Sequence, residues 1–123
     1  MAKKILIVDD SGFMRMRMKD VFIKAGYEIV GEVEKGSQAV QEYRELHPDL
    51  VTMDIVMQGQ GGIQSVKEII AADSRAKILM VSAMGQQALI IEAIQEGARG
   101  FVIKPFKQEQ LLSEAGRILK EES

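Results

Sequence analysis

Five short runs of aliphatic and β-branched residues recur along this chain. Each is followed by a segment whose apolar residues fall three and four apart. The runs lie at 3–8, 27–33, 50–54, 77–81 and 99–103. A strand that is apolar along its whole length has both faces buried, which favours a parallel sheet with helices on either side. The intervening stripes supply those helices. Met14, Met18, Val21, Phe22 and Ala25 mark a first helix over about 12–25, capped by Ser11 and stopped by Gly26. Ala39, Tyr43 and Leu46 mark a second, ended at His47-Pro48 because a residue before proline avoids the α region. Ile63, Val66 and Ile70 mark a third, residues 86–96 a fourth, and Leu111, Leu112, Ala115, Ile118 and Leu119 a fifth. The pattern is that of a single α/β domain of type (βα)5 over residues 1–123, with short loops and no internal repeat.

With no cysteine, disulfide and thiolate chemistry are excluded. A net charge of −2 provides no general attraction to nucleic acid or anionic membranes, so neither is expected as a partner. Met1-Ala2-Lys3-Lys4 leads into only four apolar residues, too few for a signal peptide, and no run approaches the ~18 apolar residues of a membrane span. The expected location is the cytoplasm.

Four of the runs end on chemistry-bearing residues. Ile5-Leu6-Ile7-Val8 runs into Asp9-Asp10, Leu50-Val51-Thr52-Met53 into Asp54, and Phe101-Val102-Ile103 into Lys104-Pro105; the fourth strand ends on Ser82. In open parallel sheets the C-terminal strand edge is where ligands bind. Carboxylates converging there repel one another and raise each other's pKa. A hard divalent ion resolves this, and Mg2+ needs only two or three protein acids because it keeps several waters. Lys104 and the Ser82 hydroxyl would complete a site for a transferring phosphoryl group. Asp54, alone on the middle strand, is the natural nucleophile, leaving Asp9 and Asp10 for the metal.

Asp9-Asp10, Asp54, Ser82-Ala83 and Lys104-Pro105-Phe106 together resemble the pattern of response-regulator receiver domains. Phe13-Met14-Arg15-Met16 and Ser82-Ala83-Met84-Gly85 are similar to its chemotaxis, CheY-like branch. The resemblance implies a flavodoxin-like fold with strand order 2-1-3-4-5, which the pattern alone does not determine. It implies that Asp54 accepts a phosphoryl group from a sensor histidine kinase. Asp9, Asp10, Asp54 and the Val56 backbone carbonyl would hold Mg2+. Ser82 and Lys104 would bind phosphoryl oxygens, the Lys104–Pro105 peptide would be cis, and Ser82 with Phe101 would form the switch. It further implies an output face on the fourth helix, fifth strand and fifth helix, read by a flagellar motor switch or other output protein. A phosphatase is a possible further partner, the chain acting as a monomer with no output domain. On that face the run Ala88-Leu89-Ile90-Ile91 carries more apolar residues than a core stripe needs. With Ile91 and Ile94 assigned to the core, Leu89 or Ile90 is left outside, and Ile90 joins Phe101 as an output-face residue.

The chain departs from the family pattern in the loop after Asp54. Gln58 stands where proline is usual, within a Gln-Gly-Gln-Gly-Gly run that suggests a mobile loop. Val56 and Met84, two residues beyond Asp54 and Ser82, are apolar and would orient a hydrolytic water poorly, so slow self-dephosphorylation is expected. Arg15 and Arg17, alternating with Met14, Met16 and Met18, read as a solvated basic face. Two other functions fit the same residues: a Mg2+-dependent phosphohydrolase, which would want an acid where Val56 stands, and an interaction module that works without phosphorylation.

Overall fold

The computed structural model describes residues 2–121. Strands and helices alternate as β1 (Lys4–Val8), α1 (Gly12–Lys24), β2 (Glu28–Val33), α2 (Ala39–Leu46), β3 (Leu50–Asp54), α3 (Gly62–Ala72), β4 (Ile78–Ala83), α4 (Gln87–Gln95), β5 (Gly100–Lys104) and α5 (Gln108–Lys120). All strand pairs are parallel, in the order β2-β1-β3-β4-β5. The sheet is the doubly wound one expected.

Side-chain alternation along the inner strands builds two cores. Leu6, Val8, Val51, Met53, Ile78 and Met80 face α2, α3 and α4, meeting Ala39, Val66, Ile69, Ile90 and Ala93. Ile5, Ile7, Leu50, Leu79 and Val81 face α1 and α5, meeting Met18, Phe22, Leu111, Ala115 and Ile118. Every residue of β3 is buried. Each fully buried Val, Leu, Ile or Met contributes roughly 1.5–3 kcal/mol, so the three inner strands β1, β3 and β4 are the firmly placed part of the sheet. Asp49 aligns it with its neighbour: its amide donates to the Lys4 carbonyl and its carboxylate accepts from the Lys4 amide, both at 2.7 Å.

Element ends follow local chemistry. The Ser11 hydroxyl accepts from the Met14 amide at 3.2 Å, capping α1 as expected. His47 closes α2 in the left-handed region at φ 49, its amide donating to the Tyr43 carbonyl at 3.0 Å, and the proline that follows keeps the helix from continuing. The second strand begins at Glu28, one residue later than the pattern suggests, because Tyr27 turns back to make an edge-to-face contact with Phe22 at 5.6 Å. Ala25 sits at the end of α1, exposed, and not on its buried face.

The largest departure is in α4. Ile90 is buried with Ala93 against the sheet, while Ile91 and Ile94 are 59% and 40% exposed. The assignment of Ile90 to the outer face is therefore corrected. The small Ala93 brings the helix close to the sheet, and the residue one turn before it, Ile90, shares that inward face.

Glycine allows the closest contacts between elements. Gly62, the first residue of α3, lies against the Asp54 carbonyl and the Ile55 Cα, so a Cβ there would overlap backbone atoms. Gly61 has more room, since a methyl group on it would meet nothing nearer than the Ile55 carbonyl oxygen at 3.6 Å. Gly62→Ala is expected to lose about 2–4 kcal/mol by urea denaturation, and Gly61→Ala less than about 1 kcal/mol.

Candidate functional site

Parallel pairing puts the strand ends in register. Val8 pairs with Met53, Asp54 with Val81, Ser82 with Ile103 and Ala83 with Lys104. The five expected residues are thereby collected at one edge. Carboxylate oxygens of Asp9, Asp10 and Asp54 all lie within 4.8 Å of one another. Asp9 is fully buried, Asp54 nearly so, and Asp10 is exposed.

The Lys104 ammonium bridges two of these acids, at 3.0 Å from Asp9 Oδ2 and 3.5 Å from Asp54 Oδ1. The acids therefore have an internal counter-cation, a role for Lys104 beyond the phosphoryl contact expected of it. The Lys104–Pro105 peptide is cis, as the resemblance implies. Asp9 is gripped further: its Oδ1 accepts from the Ser11 amide at 2.9 Å and its own amide donates to the Val33 carbonyl at 3.0 Å.

One ammonium does not offset three carboxylates. The Asp54 carboxyl is pushed up to about 6, first by burial and next by the charge of Asp9, with Lys104 pulling the other way and Asp10 adding to the rise. The Ser82 hydroxyl is fully buried and has no hydrogen-bond partner among the described residues. A dense group of hard oxygen donors beside an unpartnered hydroxyl suits a divalent cation and an incoming anionic group, so the residues fit Mg2+.

The remaining expected residues divide. Val56 and Met84 stand at the rim with 53% and 77% of their surfaces exposed, and Phe101 on β5 is half exposed. Ile90 lies inside, away from any partner. The loop after Asp54 is held at two points. Met57 is buried, and the Gln60 amide donates to the Gly36 carbonyl, the Ser65 hydroxyl and the Glu68 carboxylate at 3.3, 3.1 and 2.8 Å. Only Gln58 and Gly59 between them are exposed, so the loop has anchored ends and not the uniform looseness its glycines suggest.

Two residues near the site carry no sequence signal beyond their position in α1. Arg15 donates to the Asp9 carbonyl at 2.8 Å, and Arg17 donates to the Phe106 carbonyl at 3.0 Å while its guanidinium lies 5.0 Å over the Phe106 ring. The expected solvated basic face thus also supplies a pair of braces, from α1 to Asp9 and to the loop that follows Lys104.

Asp54 has consequences for stability. Native Asp54 binds its proton more tightly than the unfolded chain does. Between about pH 4 and 6 the native state therefore holds more protons, and stability falls as pH rises. In metal-free buffer Asp54→Asn is expected to be more stable than the parent by about 1–2 kcal/mol at pH 7.5, the difference closing below about pH 4.5. Urea denaturation at the two pH values checks this.

A family model described as the response regulator receiver domain matches residues 5–115. The chemotaxis protein CheY of Thermotoga maritima is 51% identical over 120 residues, covering 98% of this chain and 100% of that protein. That of Bacillus subtilis is 52% identical over 119 residues, covering 97% and 99%. Among solved structures, a chain of the CheX-CheY-BeF3-Mg2+ complex from Borrelia burgdorferi matches with a TM-score of 0.92 at 30% identity, covering 97% of this chain and 90% of that one. The response regulator domain of T. maritima CheB matches with a TM-score of 0.91 at 32% identity, covering all of both chains. The chain belongs to the response regulator receiver domains of two-component signalling, close to the chemotaxis regulators.

Proposed function

We propose that this domain is a phosphorylation-operated switch in chemotaxis, with Asp54 as phosphoacceptor and a histidine kinase as donor. The observation that carries this reading is the meeting of Asp9, Asp10 and Asp54 with Lys104 and an unpartnered Ser82 hydroxyl at one strand edge. Asp10 and Asp54, with Asp9 and the Val56 carbonyl, would hold Mg2+. When bound, the ion supplies charge neutralisation for phosphoryl oxygens.

An Asp54 oxygen attacks the phosphorus of the donor phosphohistidine. The new O–P bond forms as the P–N bond breaks, its electron pair returning to the imidazole nitrogen. Without the ion, burial and the charge of Asp9 hold Asp54 at about 6, so it is mostly ionised at neutral pH and free to bind the cation. Lys104 lies within reach of the added group and holds one of its oxygens, exchanging part of its contact with Asp9 for the new charge. The Ser82 hydroxyl gains an acceptor for its proton. These shifts pull the β4 end toward Asp54 and bias Phe101 inward, favouring one of two pre-existing conformations.

The output surface on this reading is formed by the exposed Ile91, Ile94 and Phe101, with Phe101 also lining a cleft of about 420 Å³ between β5 and α5 together with Ile103, Glu109 and Gln110. A flagellar switch component or another output protein would read it. A phosphatase would be a further partner, and the CheX-CheY-BeF3-Mg2+ complex shows a protein of this fold assembled with a second protein. A phosphohydrolase is disfavoured, because Val56 offers no general acid two residues beyond the nucleophile.

Incubation with acetyl phosphate and Mg2+ followed by intact mass measurement is expected to show a phosphoryl adduct on the parent and none on Asp54→Asn. No adduct on a parent that still binds Mg2+ would replace this reading with a phosphate-independent interaction module. The decay of the adduct is expected to be slow. Val56→Asn, which offers a polar partner to the attacking water, should speed it about three- to tenfold.

A further inference from the structure

The peptide joining Asp9 to Asp10 determines how both acids leave the backbone, because a planar peptide moves as one unit. Its carbonyl is held by a side chain: Arg15 Nη1 donates to Asp9 O at 2.8 Å. Arg15 is itself held, its Nε donating to Glu32 Oε1 at 3.2 Å, and the other oxygen of Glu32 accepts from Lys19 Nζ at 2.7 Å. Lys19 and then Arg15 keep the Glu32 carboxyl below the usual carboxylate range, so this link is ionised across the neutral range. Only 18% of the Arg15 side chain is exposed. One fork of the guanidinium thus joins β2 to the acid turn, through a contact that a simple point charge would not reproduce.

We infer that Arg15 is a positioning residue for the divalent-cation site, aiming Asp9 and Asp10 by fixing their shared peptide, with Glu32 and Lys19 holding the guanidinium in place. This rests on the Mg2+-dependent reading above and adds to it a residue that would touch neither metal nor phosphoryl group. The competing role for a cation here is purely electrostatic, and the two roles predict opposite signs. If Arg15 merely offsets the acids, its removal leaves a more negative site and cation binding tightens. If Arg15 positions the acids, its removal weakens cation binding although a positive charge has been lost.

The experiment is a titration of the whole chain with Mg2+ at pH 7.5, followed by backbone amide NMR, on the parent, Arg15→Gln and Arg15→Lys. Arg15→Gln is expected to weaken Mg2+ binding about tenfold, the lower end of what loss of a residue supporting metal ligands costs. Arg15→Lys should recover only part of this, since it keeps the charge and loses the fork. In metal-free spectra the Asp10 and Ser11 amides should move in Arg15→Gln while those at the α3 C-terminus stay in place. Equal or tighter Mg2+ binding by Arg15→Gln overturns the inference, and so does full recovery of affinity by Arg15→Lys. If Arg15→Gln does not fold, the Arg15→Lys comparison decides alone. A parent that fails to bind Mg2+ at all overturns the metal-dependent reading itself, an outcome distinct from either of these.

Discussion

Three carboxylates within 4.8 Å of one another, two of them buried, form an arrangement that folding should resist. A single pair of like charges 4 Å apart costs about 4 kcal/mol at the effective dielectric of a protein surface. The Lys104 ammonium, in contact with both buried acids, makes the arrangement tolerable. Its reach depends on β5 pairing with β4 so that Lys104 stands beside Ala83, and on the turn at Pro105 and Phe106 that Arg17 braces from α1. The sheet order, the register and the braces can be read as the means of holding one cation against three anions.

The two ends of the sheet are built differently. At the N-terminal end, polar groups satisfy one another. The Tyr43 hydroxyl donates to Asp73 at 2.7 Å, Lys77 donates to the Leu119 and Glu121 carbonyls, and Asp49 ties β3 to β1. At the C-terminal end, Asp54 is held above its ordinary pKa and Ser82 has no partner among the described residues. Stability is concentrated at one end, and unmet chemical demand at the other.

Much of this was legible in the sequence, for identifiable reasons. Continuous apolar runs of this length suit strands buried on both faces, and parallel pairing collects whatever follows them, so Asp9, Asp10, Asp54, Ser82 and Lys104 could be placed at one edge from the residue order alone. The orientation of α4 could not. Ile90 and Ile91 are chemically equivalent, and what separates them is Ala93, whose small side chain sets how closely the helix approaches. The roles of Arg15 and Arg17 were equally hidden, since an arginine's acceptor is a backbone carbonyl that sequence does not mark. The glycines around Gln60 signalled freedom, but the long Gln60 side chain reaches three acceptors from other segments and removes much of it. The contacts missed are specific pairings of side chains with particular acceptors, near or far in the chain, where composition carries no information about the partner.

The unpartnered Ser82 hydroxyl bears on how sharply such a domain can signal. A buried hydroxyl without an acceptor raises the free energy of the form that contains it by about 1–3 kcal/mol. On the proposed function, an acceptor arriving beside Asp54 would relieve that penalty in addition to making its own bonds. The resting form would on that reading be handicapped in advance, and part of the contrast between the two forms would be stored in the quiet one. A residue that satisfied Ser82 internally would make a more stable protein and a duller sensor, with less difference between silence and message.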